Sequence, residues 1–247
     1  MTDSRSSSLS AGERTLIVVP TYNEGANIPE LIAKIFAHLP DADVLIVDDQ
    51  SPDGTAELVD KLRDTHSRLH LLRRDGPRGL GYAYTAGIRY GLDNEFAVIG
   101  TMDADLSHNP SHLPAMLALL SNADVVIGSR YIRDGGTVNW SVYRVALSRT
   151  ANKFASALLQ IPAHDITSGF RLYRRGALEW LRLTEIKSTG YSFLAELLYR
   201  AYRAGAKIVE HPIIFHDRIN GVSKLRRREI YLGAMNLMRL KFSRARS

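Results

Sequence analysis

Three clusters of polar side chains come directly after short apolar runs that are typical of buried strands. The clusters are Thr21-Tyr22-Asn23-Glu24, Asp48-Asp49 and Asp103-Ala104-Asp105. Ligands of open α/β sheets bind beyond the carboxyl ends of the strands, so neighbouring strands would bring five carboxylates to one edge. Carboxylates so close repel one another unless a cation or hydrogen-bond donors lie among them. The pattern therefore indicates a site for a hard divalent cation.

Asp103 and Asp105 are the candidate metal ligands. They are two residues apart in a predicted loop, which lets both carboxylates bind one Mg²⁺ or Mn²⁺ while water and a diphosphate fill the other positions. Such an ion would neutralise a leaving nucleoside diphosphate as a Lewis acid. The same tripeptide also arises by chance as a simple polar loop, and the residues alone leave both interpretations open.

Two further segments have a structural and a functional interpretation. Asp48 and Asp49 precede Ser51-Pro-Asp-Gly-Thr55, so they either stabilise a turn and cap a helix or accept hydrogen bonds from a nucleoside. Gly79-Leu80-Gly81 begins a predicted helix, where a turn is favoured over a phosphate-binding loop. Three histidines without metal-ligand spacing are expected in polar loops or at the surface: His108, His112 and His211.

Short apolar runs rich in β-branched residues alternate with segments of helical periodicity. The predicted strands span residues 15–20, 44–47, 69–72, 96–100, 125–128, 170–173 and 207–215. The predicted helices span residues 27–38, 56–65, 79–90, 113–120, 142–159, 193–204 and 227–245. This alternation predicts an α/β fold with a doubly wound, mostly parallel central sheet and helices on both faces.

The composition limits the class of partner. The chain has 247 residues, 45% of them hydrophobic, and its net charge of +6 favours an anionic partner such as a nucleic acid, a phosphorylated substrate or a membrane face. Because it contains no cysteine, any metal must have oxygen or imidazole ligands. No apolar run approaches the roughly 20 residues needed to cross a bilayer, so membrane contact would be peripheral.

Six motifs follow one another along the chain: Pro20-Thr-Tyr-Asn-Glu24, Val47-Asp-Asp49 with Ser51-Pro-Asp-Gly-Thr55, Asp103-Ala-Asp-Leu-Ser-His108, Gly128-Ser-Arg-Tyr131, Ser168-Gly-Phe-Arg171 and Asn220-Gly-Val-Ser-Lys224. Together they resemble dolichol-phosphate (polyprenol-phosphate) mannose synthases, inverting nucleotide-sugar glycosyltransferases of family 2 with a Rossmann-like GT-A fold. The resemblance implies metal-dependent transfer of mannose from GDP-mannose to a polyprenyl (dolichyl-type) phosphate. A UDP-sugar donor such as UDP-glucose is the nearest alternative.

The resemblance also implies roles for individual residues. The nucleoside pocket is expected to contain Pro20, Tyr22, Glu24, Val47 and Asp49. The metal and diphosphate loop is expected to consist of Asp103, Ala104 and Asp105, with Ser107 as a weak or water-mediated metal ligand. The cations expected to close over the phosphates are Arg130, Arg218 and Lys224. The lipid phosphate is expected at Arg130, Arg144 and Ser148, and the candidate catalytic residues are Asp103, Asp105 and Arg130.

A phosphate acceptor would need no strong general base. The second pKa of a phosphate monoester lies near 6, so this acceptor is mostly dianionic at neutral pH. Direct attack on the anomeric carbon would invert it and give a β-linked product. Asp165 either orients a substrate or caps a loop, and Gln50 departs from the small residue, such as Gly, expected beside the nucleoside pocket.

The chain is expected to contain three parts. Residues 1–13 form a flexible tail without the apolar core of a signal peptide, and residues 14–225 form the catalytic domain, with a donor half to about Arg130 and an acceptor half after it. Residues 226–247 form a basic amphipathic helix. It either lies on the cytoplasmic face of a membrane, where each cation contributes about 1 kcal/mol, or packs on its own domain.

Three further interpretations concern partners. Trp140 and Tyr143 either form the mouth of a prenyl-chain site or are ordinary packing residues. A separate membrane-anchoring protein is a further candidate partner, because the sequence offers no helix long enough to be an anchor. Nucleic-acid binding is the alternative of a different class, and it is disfavoured because no RNA- or DNA-recognition motif occurs.

Overall fold

The computed structural model describes residues 13–179, 181, 183, 186, 191–217 and 235–241. The strands of these residues are β1 (Thr15–Thr21), β2 (Asp43–Asp48), β3 (Leu69–Arg73), β4 (Val98–Thr101), β5 (Val125–Ser129), β6 (Gly136–Val138), β7 (Arg171–Arg174), β8 (Ile208–Pro212) and β9 (Ile214–His216). The helices are α1 (Ile28–His38), α2 (Thr55–Arg63), α3 (Leu80–Asp93), α4 (Leu113–Leu119), α5 (Val142–Leu159), α6 (Arg175–Glu179) and α7 (Tyr191–Arg203), with a 3-10 turn at Pro110–His112. Residues 235–241 are also helical.

The central sheet contains seven strands in the order β3-β2-β1-β4-β7-β5-β8. Pairing is parallel between β1 and β2, β1 and β4, β2 and β3, and β5 and β8. Strand β7 runs against both of its neighbours, β4 and β5. The predicted mostly parallel α/β sheet is confirmed. Because β7 is reversed, it begins at the edge where the parallel strands end.

Both faces of the sheet are covered by helices. Successive side chains of a strand point to opposite faces. Accordingly, Leu16 and Val18 of β1 join the core formed with α3, α5 and α7, whereas Ile17 and Val19 join the core formed with α1 and α4. All four side chains are fully buried. Burial on both faces explains why the strand sequences are continuous apolar runs rather than alternating ones.

The end of the predicted strand at residues 207–215 differs from expectation. It forms two strands: β8 pairs with β5, whereas β9 leaves the central sheet and pairs with β6 in a second, two-stranded sheet. Between them, the Ile213 N–H donates to Ser129 O (2.9 Å) and its carbonyl accepts from Gly136 N–H (3.0 Å). Strand β6 lies in a stretch for which neither a strand nor a helix is predicted. Pairing between segments so distant in the chain leaves no local sequence pattern.

Part of the predicted C-terminal helix is described. In residues 235–241, Leu237 and Leu240 pack against the core beside α3 and α7, and Met238 is 50% exposed. Of the two alternatives for this helix, packing on its own domain therefore applies to Leu237 and Leu240. The rest of this predicted helix and the tail at residues 1–12 lie outside the described residues. None of the helices in the described ranges has the length and hydropathy required to span a bilayer.

Candidate active site

The loop after β4 carries Asp103-Ala104-Asp105 at the edge where the parallel strands end. Asp105 is 3% exposed, and its Oδ1 atom accepts hydrogen bonds from the Ser107 N–H (3.1 Å) and hydroxyl (2.5 Å). Leu106 lies between them with a φ of 61°, a left-handed conformation that is uncommon for a bulky residue. The two bonds from Ser107 therefore close a tight turn and fix the Asp105 carboxylate.

Asp103 is the more accessible carboxylate of the loop, with its side chain 25% exposed. The Tyr84 hydroxyl of α3 donates to Asp103 Oδ1 (3.0 Å), and burial together with this carboxylate raises the pKa of Tyr84 well above its ordinary value. A Cβ atom on Gly169 would lie 3.1 Å from Asp103 Oδ1 and 3.0 Å from the Tyr84 hydroxyl. The glycine of the Ser168-Gly-Phe-Arg171 motif thus permits a close approach to the Asp103 side chain.

The donor set of this loop fits a hard divalent ion. Asp103 and Asp105 offer carboxylates and Ser107 offers a hydroxyl. Within the described residues, no group of three or more His, Cys, Asp or Glu could hold a metal. Mg²⁺ commonly takes one or two carboxylates and completes its coordination shell with water and substrate phosphates. The loop therefore suits an ion that binds together with a diphosphate.

His108 lies in the loop after β4, as expected, but it is only 2% exposed, so the alternative of a surface position is wrong. Its Nδ1 atom accepts a hydrogen bond from the Asp103 N–H (3.1 Å). The imidazole stacks on Phe170 (5.1 Å between centroids) and meets the edge of Phe215 (5.4 Å). Burial lowers the pKa of His108 below its ordinary value. Both rings are distant in sequence, so residue spacing gave no signal of this packing.

His112 and His211 lie together and are partly buried. Their ring nitrogens Nδ1 and Nε2 are 3.2 Å apart. Burial lowers the pKa of both imidazoles, and His211 further lowers that of His112. Their hydrogen bond joins the 3-10 turn to β8 and involves neither Asp103 nor Asp105.

The two aspartates after β2 have different partners. Asp48 accepts hydrogen bonds from the Ser51 hydroxyl (2.6 Å) and N–H (3.0 Å), so it stabilises the turn. Asp49 is paired with Arg74 and accepts a bond from the Gly79 N–H (2.6 Å) at the start of α3. The turn interpretation thus fits Asp48. The Gly79 amide is used by Asp49 and not offered to a phosphate.

The other residues expected around the nucleoside lie at the same edge. Pro20 and Val47 are register partners in β1 and β2, and Val47 is fully buried. Glu24 lies in the loop after β1. The Tyr22 hydroxyl accepts a bond from Arg78 (2.6 Å), whose guanidinium carbon is 5.2 Å from the tyrosine ring centroid. Arg78 lies outside the six motifs. Its contact with Tyr22 spans 56 positions, so no local spacing indicated it.

The backbone conformation of Gln50 explains why the resemblance implies a small residue at this position. Its φ is 62°, in the left-handed region that favours glycine. The side chain donates from Nε2 to the Gly76 carbonyl (2.9 Å), which helps to hold this turn. A small residue is therefore expected at this position for backbone reasons, and Gln50 adopts the same conformation.

Arg130 and Asp165 form a buried ion pair after β5. The guanidinium donates from Nε and Nη2 to the two carboxylate oxygens (2.7 Å each), and the Arg130 N–H adds a third bond (3.0 Å). Burial alone would raise the pKa of Asp165, but Arg130 lowers it below the ordinary value. Burial would lower the pKa of Arg130, and Asp165 raises it instead. Asp165 thus orients Arg130.

Three aromatic rings surround the Arg130 guanidinium. Its carbon lies 5.1 Å from the ring centroid of Tyr131, 5.6 Å from that of Trp140 and 5.3 Å from that of Phe215. Phe215 also contacts His108. Phe215 therefore contacts both the Arg130 guanidinium and His108, which lies three residues after Asp105. Such cation–π contacts add to the orientation of the guanidinium.

The residues expected at the lipid phosphate lie on α5, next to these rings. Arg144 pairs with Asp217 (3.1 Å) and lies 3.9 Å from the Trp140 centroid. Ser148 Oγ accepts a bond from the Tyr131 hydroxyl (2.6 Å). Trp140 is thus a packing residue for two arginines. Tyr143, in contrast, is 76% exposed.

Two expected phosphate-binding cations, Arg218 and Lys224, lie outside the described residues. They follow β9, which is anchored on both sides. The His216 N–H donates to Ser107 O (3.3 Å), and the Asp217 N–H donates to Val138 O (3.3 Å). The chain therefore enters this segment directly beside the Asp103-Ala104-Asp105 loop.

The mostly parallel sheet flanked by helices places the chain in the class of GT-A glycosyltransferase folds. Solved structures with this fold are similar to the chain. They include mannosyltransferase PcManGT from Pyrobaculum calidifontis in complex with GDP-Man and Mn²⁺ (TM-score 0.58, 21% identity, covering 94% of this chain and 64% of that one). They also include S. aureus TarS in complex with UDP (TM-score 0.62, 19% identity, covering 92% and 64%).

Sequence comparisons give the family. The glycosyl transferase family 2 model matches residues 16–181. The polyprenol monophosphomannose synthase of Mycolicibacterium smegmatis is 44% identical over 86% of this chain and 81% of its own length. The undecaprenyl-phosphate mannosyltransferase of Micrococcus luteus is 41% identical over 86% and 87%. The chain belongs to glycosyl transferase family 2, which confirms the enzyme class and the resemblance inferred from its motifs.

The buried ion pair generates a stability prediction. Asp165→Asn leaves the Arg130 charge buried without its partner, and we expect unfolding free energy to fall by about 3–5 kcal/mol. Because the pKa of Asp165 is depressed, the ionised pair contributes fully at pH 7 and its contribution is lost only as the pH falls below about 4. Urea denaturation at pH 7 measures the change.

The matched control replaces both charges, as Arg130→Met with Asp165→Leu. Removing both partners leaves no unpaired buried charge, so this double variant should be more stable than Asp165→Asn. A double variant that is as unstable as the single one would contradict the role assigned to the pair.

Proposed function

We propose that the protein transfers mannose from GDP-mannose to the phosphate of a polyprenyl phosphate, giving polyprenyl phosphate β-mannose and GDP. The names of the two curated relatives support mannosyl transfer and the polyprenyl phosphate acceptor. The similar fold that binds GDP-Man and Mn²⁺ is compatible with this donor. The observation that carries the proposal is that Phe215 contacts both His108, three residues after Asp105, and the Arg130 guanidinium, which suits a donor diphosphate beside an acceptor phosphate.

On the donor side, Asp103, Asp105 and Ser107 would hold Mg²⁺ or Mn²⁺ against the diphosphate. The bound ion would supply Lewis-acid stabilisation of the departing diphosphate. Tyr84 and Ser107 orient the two carboxylates through the hydrogen bonds described above. Asp49, Tyr22 and neighbouring residues would bind the guanosine.

On the acceptor side, a dianionic phosphate attacks the anomeric carbon directly and inverts it. The principal obstacle is repulsion between two anionic substrates, which Arg130 and Arg144 reduce by binding phosphate oxygens. Asp165 cannot serve readily as a general base because its carboxylate already accepts three bonds from Arg130. It is a positioning residue for that guanidinium.

Turnover with a panel of donors tests this function. With Mn²⁺ or Mg²⁺, we expect transfer of labelled mannose from GDP-mannose to a polyprenyl phosphate and loss of turnover in EDTA. Asp105→Ala removes a proposed metal ligand and should lower kcat by roughly 100-fold or more. Asp41→Ala, at a side chain that is 97% exposed, is the matched control and should behave as the wild type.

The alternatives predict other outcomes of the same assay. Turnover with UDP-glucose and none with GDP-mannose would overturn the donor assignment. Full activity of Asp105→Ala would overturn the metal role of the loop.

We also propose that the outer side of α5 rests on the cytoplasmic face of the membrane that contains the acceptor. Tyr143, Leu147 and Phe154 are 76%, 41% and 51% exposed, and their spacing places them on one side of the helix. The exposed cations Arg149 and Lys153 flank this stripe and suit anionic headgroups. The same helix carries Arg144 and Ser148, so the acceptor phosphate would remain at the interface.

Vesicle binding tests the membrane surface. Leu147→Glu with Phe154→Glu places two charges in the apolar stripe and should weaken sedimentation with anionic phosphatidylglycerol vesicles by about 10-fold. Ala115→Glu with Ala118→Glu adds the same charge at exposed positions of α4 and should retain binding. Equal losses in the two double variants would mean that net charge, rather than the α5 stripe, governs binding.

A further inference from the structure

His108 connects three separate parts of the site. It is the last residue of the Asp103–His108 motif, it stacks on Phe170 of the Ser168–Arg171 motif with an interplanar angle of 18°, and it meets Phe215 of β9 at 76°. The side chain is almost completely buried. Its position is therefore fixed by two aromatic rings from other segments of the chain.

The hydrogen bond from the Asp103 N–H identifies the form of this imidazole. A nitrogen that accepts a hydrogen bond carries no proton, so Nδ1 is unprotonated and the ring proton is placed on Nε2. This bond fixes the peptide group from which the Asp103 side chain projects. The Tyr84 hydroxyl fixes the other end of the same side chain, at Oδ1.

We propose that His108 is a positioning residue for the binding of the metal and nucleoside diphosphate. Its Nδ1 atom holds the Asp103 peptide so that the carboxylate is oriented for its ligand. Orientation in advance removes an ordering cost from binding, so losing it weakens affinity. This inference rests on the proposed function for the identity of the ligand.

Aromatic packing alone is the competing explanation, and two substitutions separate it from the hydrogen bond. His108→Phe retains a ring between Phe170 and Phe215 and removes the acceptor. His108→Asn loses the ring, but its Oδ1 atom stands near the place of Nδ1 and can accept the bond from Asp103. A packing role and a positioning role therefore rank the two variants in opposite orders.

Calorimetric titration with GDP and Mn²⁺, together with melting temperatures, gives the decisive comparison. We expect His108→Phe to weaken binding about 10-fold, and His108→Asn to remain within about threefold of the wild type although it melts at a lower temperature. Wild-type affinity in His108→Phe, or losses of affinity that follow the losses of melting temperature, would overturn the proposal.

Hydrogen exchange separates failure of this inference from failure of the proposed function. A wild-type protein that binds neither GDP nor UDP with Mn²⁺ would overturn the donor assignment. The Asp103 amide would still report on His108, because its exchange should be faster in His108→Phe and close to wild type in His108→Asn. Equal exchange in the two variants would contradict the positioning role whatever the nucleotide.

Discussion

The reversed strand β7 is the constraint on which the candidate site depends. It is hydrogen-bonded between β4 and β5, with Thr101 and Ile127 both in register with Arg171. Its first residue therefore lies where the parallel strands end, and the preceding residues pass beside the Asp103-Ala104-Asp105 loop. The Thr101 hydroxyl donates to Gly169 O (2.8 Å), which fixes this approach. A parallel strand at the same position would begin at the opposite edge.

Arg171 extends this constraint into the surrounding loops. Its side chain is fully buried, and its guanidinium donates to Ile166 O (2.5 Å) and to Leu194 O of α7 (2.6 Å). The arginine of the Ser168–Arg171 motif is thus a structural cation that holds the loop containing Asp165. A buried cation is costly unless its donors are paired. The two carbonyls and the Tyr173 hydroxyl pair the Nη atoms of Arg171, whereas its buried Nε has no hydrogen-bond partner among the described residues.

The carboxylates at this edge of the sheet have different partners. Asp49 is neutralised by Arg74, and Asp165 by Arg130. Asp103 accepts a hydrogen bond from the Tyr84 hydroxyl, and Asp105 accepts bonds from the hydroxyl and N–H of Ser107, which orient the two carboxylates. The proposed divalent cation would bind at Asp103 and Asp105, whose loop also offers the Ser107 hydroxyl. Asp165 is a positioning residue for Arg130, whereas Asp49, held by Arg74, lies among the residues proposed to bind the guanosine.

Local patterns in the sequence predicted the alternating strands and the position of Asp103 and Asp105 after a strand. They also predicted α5 with the same bounds that the structure shows, because helical periodicity is a local property. The reversal of β7, the pairing of β6 with β9 and the burial of His108 depend on contacts between distant segments. The contact of Arg78 with Tyr22 and the pairing of Arg130 with Asp165 could not be predicted for the same reason. Side-chain partners far apart in the chain leave no periodic signal.

The assignment of Asp103 and Asp105 as the metal and diphosphate loop is the central claim. Anomalous diffraction at the manganese edge, from a crystal grown with GDP and Mn²⁺, tests it most directly. The proposed arrangement requires a manganese peak within about 2.5 Å of a carboxylate oxygen of Asp103 or Asp105, with the diphosphate on its other side. A nucleotide bound at this edge with its manganese elsewhere would contradict the claim.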